Sequence, residues 1–114
     1  MASASVGSPN TAGISPSLSP KFPVLSVPYG CLVPRDIDGL VVAGRHISCD
    51  ATSHSFLREI PQCWLTGQAA GAAAALAAVE KCEPRAVPTA TLQALLLRQG
   101  AVLRQAGETA AVAN

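Results

Sequence analysis

Aromatic side chains are scarce in this 114-residue chain, which has one Trp, one Tyr and two Phe. Hydrophobic residues make up 49% of it, but alanine supplies much of that share, and a methyl group hides little area at about 25 cal/mol per Å2. The length allows one small domain, and so few large side chains give it a thin core of its own. Charge is scarce too, with 13% charged residues and a net charge of +1. There is no basic run and no interleaving of aromatics with basic residues, which argues against nucleic acid as a main partner. Cys31, Cys49, Cys63 and Cys82 are widely spaced and form no CxxC. No metal site is expected from them, and they read as reduced, mostly buried thiols, with structural disulfides as the alternative. No positive stretch followed by an apolar one opens the chain, so no signal peptide is expected. The run from Ile60 to Val79 carries no charge and is long enough to span a bilayer. Pro61, Gln62, Thr66 and Gln68 interrupt it, and small residues fill most of the rest, so no membrane helix is expected. The expected location is the cytoplasm.

What is present falls into three zones. Residues 1–20 mix Ser, Ala, Pro, Gly and Thr without a hydrophobic period and are expected to form a disordered tail. Residues 21–103 hold all the structural signals, and residues 104–114 are expected to be a flexible tail. Within the middle zone, "FPVLSVPYGCLV" (22–33) looks extended, with Pro23 and Pro28 confining it to an edge or a connection. "PRDIDG" (34–39) has turn chemistry. Leu40–Ala43 is a short apolar run that does not alternate, as in a parallel strand buried on both faces. A loop is expected over 44–57. A helix follows from about Arg58 to about Lys81, because Pro61 is tolerated only in its first turn. "CEPRAVP" (82–88) breaks the chain. A second helix covers about Thr91–Gln99, with Thr89 or Thr91 as cap, Leu92, Leu95 and Leu96 as its apolar stripe, and Gly100 after its end.

On the first helix, Gly67, Ala70, Gly71, Ala74 and Ala78 share one face. A face so poor in side chains lets another backbone come close, either in ordinary helix–sheet packing or in a strand–loop–helix unit whose helix N-terminus faces a cofactor. That N-terminus offers unpaired N–H groups and a partial positive charge. Trp64 is expected to fill core beside the helix.

Together, "VPYGCLVPRDIDGLVVAGRHIS", "REIPQCW" and "TGQAAGAAAALAA" resemble the C-terminal end of bacterial FAD-dependent oxidoreductases. These are flavoproteins with a glutathione-reductase-type FAD domain, grouped near the flavin-bearing subunit of heterodisulfide reductase. "LLRQGAVL" (96–103) is similar to the family's ending as well. The resemblance covers about residues 27–103. It implies an α/β fragment, with short strands followed by two helices, that forms the C-terminal part of a Rossmann-type FAD-binding domain. Leu40–Ala43 would be its last strand, with Ala43, Gly44 and Arg45 at the cofactor edge. Gly44 would admit backbone close to FAD, and Arg45 would pair with a phosphate or cap the ribityl chain. Arg58, Glu59 and Ile60 would open a helix whose amides face the pyrimidine edge of the flavin. His54 is the weak catalytic candidate, an imidazole able to exchange protons on the substrate side. Alternatively it is an exposed loop histidine. His46 is expected to pack or to face solvent. Arg58 can equally serve as a salt bridge at a helix end.

The sequence departs from that family in having no GxGxxG, the turn that holds the FAD pyrophosphate. The expected partner is therefore the missing N-terminal FAD-binding half or a complementing subunit, together with a small-molecule substrate. The parent reaction would be hydride or electron transfer through FAD. The rival reading is a non-enzymatic small helical module that packs against or completes another subunit through its Ala/Gly helix face.

Overall fold

Alanine sets the packing distance in this fold. A computed structural model describes residues 11–15 and 25–103, the former and Leu25 as backbone only. Its longest element is a 21-residue helix, Ile60–Glu80, whose buried face is Gln62, Thr66, Ala69, Ala70, Ala72, Ala73 and Ala77. With only methyl groups over most of that face, the larger apolar side chains come from elsewhere. Leu32, Leu92, Leu96 and Cys31 are fully enclosed, with Val27, Tyr29, Ile47, Leu57, Val87 and Leu103 around them.

In chain order the elements are β1 (Thr11–Ser15), β2 (Leu25–Pro28), a 3-10 turn (Tyr29–Leu32), α1 (Ala51–Leu57), α2 (Ile60–Glu80), a second 3-10 turn (Pro84–Ala86) and α3 (Thr89–Arg98). β1 and β2 pair antiparallel with an irregularity between Thr11 and Gly13. The backbone of β1 lies against α2 and α3. Thr11–Ser15 thus departs from the disordered tail expected over 1–20. The rest of that tail and residues 104–114 lie outside the described residues.

The helix ends follow local chemistry. Pro61 sits in the first turn of α2, as its missing N–H requires. The helix begins at Ile60 rather than Arg58, because the Arg58 amide closes α1 on the His54 carbonyl and Glu59 is extended. At the other end Lys81 takes the left-handed conformation, and the Cys82 amide reaches the Ala77 carbonyl at 3.0 Å. α3 begins at Thr89, two residues before the expected start. Pro88 precedes it, and no threonine side chain caps it. It ends in a Schellman pair, Ala101 N–H to Leu96 carbonyl and Gly100 N–H to Leu97 carbonyl, with Gly100 at φ 86°.

Four further expectations are corrected. Three α-helices lie among the described residues where two were expected, since the loop drawn over 44–57 contains α1. Asp50 caps that helix by accepting the Ser53 amide at 2.7 Å. Leu40–Ala43 is not a ladder strand. The Val42 amide makes one bond to the Leu32 carbonyl at 2.8 Å, Leu40 is exposed, and no neighbouring strand lies beside the run among the described residues. Of the small face on α2, only Ala70 is buried, while Gly67, Gly71, Ala74 and Ala78 face outward. Trp64 is 73% exposed, because it lies on that same outer face with Ile60. None of the described helices is long and apolar enough to cross a membrane.

Candidate functional site

The site is built by one turn and one short helix. After Ala43 the chain reverses at Gly44, whose φ of 90° suits a residue without Cβ. The turn closes through the Ile47 amide on the Gly44 carbonyl at 3.2 Å. Ile47 is buried and anchors it, so Arg45 and His46 at its tip are left exposed. The turn is also tied to α2. The Gly44 amide donates to Thr66 Oγ1 at 3.1 Å, and the Thr66 hydroxyl lies 3.0 Å from the Gln62 carbonyl, its acceptor one turn back. Asp50 then starts α1, which carries His54 and runs out at Arg58.

Arg45, His46, His54 and Arg58 together line an open pocket of about 550 Å3, a size suited to a small ligand or to part of a larger one. No carboxylate lines it among the described residues. Arg58 lies 3.9 Å from Glu59, with both side chains more than half exposed, a pairing worth little in water. Arg45 has no ion pair among the described residues. The arrangement offers two permanent positive charges and two imidazoles to one volume. It can hold an anionic group and exchange a proton beside it.

The residues singled out from the sequence divide by position. Arg45, His54 and Arg58 come together on the pocket. Ala43 and Gly44 support it from behind, Ala43 against the core and Gly44 through Thr66. Glu59 and Ile60 are outside the lining, with Ile60 63% exposed on the outer face of α2. His46, expected to pack or to face solvent, is exposed and lines the pocket beside Arg45. Thr66 was missed, and no sequence pattern links it to Gly44. Gln62, next to Thr66 on the buried face, has a buried Oε1 that meets no hydrogen-bond donor among the described residues.

The cysteines do not join the site. Burial, with Cys49 nearby, pushes the Cys31 thiol up to about 11, and burial followed by the Asp50 charge raises Cys49. Both therefore stay protonated near neutrality and are poor nucleophiles.

A turn pinned to a long helix, presenting cations to an open pocket, defines a segment suited to receiving an anionic cofactor or substrate. Comparison with known proteins gives the class. The family described as FAD dependent oxidoreductase matches residues 6–96, and the chain belongs to it. FAD is the cofactor of that family. No curated protein and no solved structure matches the chain.

The residues present fit part of FAD. The lining cations match its anionic groups, and a Cβ added at Gly44 would meet no heavy atom within 4 Å, so the turn is open on that side.

Proposed function

We propose that this chain supplies the C-terminal part of the FAD-binding domain of a bacterial, cytoplasmic FAD-dependent oxidoreductase of the glutathione-reductase type, near the flavin-bearing subunit of heterodisulfide reductase. Another segment or subunit brings the GxGxxG half. The observation that carries this reading is the convergence of Arg45, His54 and Arg58 on one pocket in a chain of that family. When bound, FAD supplies hydride or electron transfer on a small-molecule substrate. The chain's own residues bind and orient. Arg45 and Arg58 hold an anionic part of the cofactor, and Ala43 and Gly44 set the turn that aims Arg45. Outside the lining, the first turn of α2, opening at Ile60 after Glu59, has no side-chain cap, while the Glu59 amide itself is taken by the Phe56 carbonyl at 3.1 Å. His54 holds or delivers a proton at the pocket.

The outward apolar face of α2, with Ile60, Trp64 and Val79 exposed, supports the need for a second body. It also favours the alternative reading, a non-enzymatic module that completes another subunit through that face. FAD fluorescence separates the two. The lone chain is expected to bind FAD weakly or not at all, for want of the pyrophosphate turn. A fusion with the GxGxxG half of a family member is expected to purify yellow and to lose flavin when Arg45 and Arg58 are replaced by Gln. A colourless fusion would favour the module.

A further inference from the structure

We infer that the pocket lined by Arg45, His46, His54 and Arg58 is a binding site for a small oxyanion of the phosphate type, held between its two guanidinium groups. The site is the one used in the proposed function, but this inference does not depend on flavin.

Three observations carry it. The four described lining side chains are arginines and histidines, and no acid shares the lining among the described residues. The two guanidinium groups come from different elements, the turn after Gly44 and the end of α1. They can therefore approach one anion from two sides, and guanidinium presents its donors in a planar fork that matches the oxygens of phosphate or sulfate. Their donors are also largely unclaimed, since Arg45 has no ion pair among the described residues and Arg58 has only the exposed contact of 3.9 Å to Glu59. The acids on the same segments are engaged or outside the lining. Asp50 accepts the Ser53 amide at 2.7 Å, and Glu59 lies beside Arg58. His46 and His54 bring ring nitrogens able to hydrogen-bond an anion into the same volume. Because the pocket is open, salt screens the attraction.

The test is calorimetric titration of the full chain with sodium sulfate at low ionic strength. Saturable one-site binding is expected near neutral pH. The Arg45→Gln/Arg58→Gln double variant is expected to bind at least tenfold more weakly. Both positions are exposed, so circular dichroism should show an unchanged fold. No saturable binding at millimolar sulfate, or full affinity in the arginine double variant, would overturn the inference. Competition on the fusion with the GxGxxG half, where FAD is expected to bind, identifies the source of the anion. Displacement of sulfate by FAD and FMN but not by riboflavin assigns the site to the cofactor's phosphate. Displacement by inorganic pyrophosphate but not by FAD assigns it to a separate phosphorylated substrate. Sulfate binding without any FAD effect would sink the flavin reading of the pocket while leaving the oxyanion site standing.

Discussion

Arginine is used in opposite ways at two places in this molecule. Arg85 directs its guanidinium inward to the chain. It pairs with Asp38 at 2.8 Å and donates to the carbonyls of Pro34, Arg35 and Ile37 at 3.1–3.4 Å. The Gly39 amide meets Glu83 at 2.6 Å, and the Tyr29 hydroxyl meets the Pro84 carbonyl close by. The "PRDIDG" turn is thereby clasped to the "EPRA" turn. Arg45 and Arg58 do the reverse, presenting their charge to an open volume and almost nothing within the chain. A guanidinium satisfied by backbone carbonyls holds a fold together. One that is left unsatisfied next to a second of its kind is available to a ligand.

The contrast predicts that stability and binding separate on mutation. The largest effect is expected from the core beneath the clasp. Leu92→Ala removes a fully buried side chain and should cost about 2–5 kcal/mol in urea unfolding. Arg85→Ala should cost about 1–2 kcal/mol, its several bonds being discounted for partial exposure. Arg45→Ala should stay within about 0.5 kcal/mol of the parent, and equal losses at Arg85 and Arg45 would dissolve the comparison. Gly44→Ala should cost about 1 kcal/mol through its positive φ alone. It should also weaken sulfate binding by re-aiming Arg45, which would show that the turn serves the pocket.

The smallest effect concerns Asp50, whose carboxyl is held below the usual carboxylate range, chiefly by the Ser53 amide. A depressed value in the folded state means that its contribution is present above the unfolded value of about 3.9 and is lost as pH falls through the folded one. The Ser53 amide resonance should therefore titrate at acid pH, with α1 fraying alongside, and Asp50→Asn should cap without that titration. An amide shift that ignores acid would remove the cap.

Much of the chain's local structure could be read from the residues, while its long-range packing could not. Pro61 placed the start of α2 to within two residues, and Gly100 marked the end of α3, because both act on their own backbone. α1 escaped notice because a seven-residue helix shows too little period, although Asp50 three residues before Ser53 was a capping signal. Leu40–Ala43 read as a strand because an apolar run says only that it prefers burial, whereas a ladder needs a neighbour that the run cannot specify. Trp64 misled for a related reason. Its size predicts burial, but its angular position on α2 puts it opposite the alanine face. At the site, Arg45 and Arg58 stood out by their places at a turn and a helix boundary. The Thr66 anchor pairs residues 22 positions apart and left no trace in spacing.

The clasp also bears on the order in which the molecule assembles. Arg85 meets Arg35 across 50 residues of sequence, and closing so long a loop costs roughly 3 kcal/mol of chain entropy. α1 and the turn at Gly44 lie inside that loop and rely on nearer partners, the Gly44 amide on Thr66. They can form while its ends are still apart, so the clasp closes late. Interactions absent from the transition state govern escape from the native state more than arrival at it. Loss of Arg85 should accordingly appear as faster unfolding with little change in refolding, so that the clasp sets how long the assembled pocket persists.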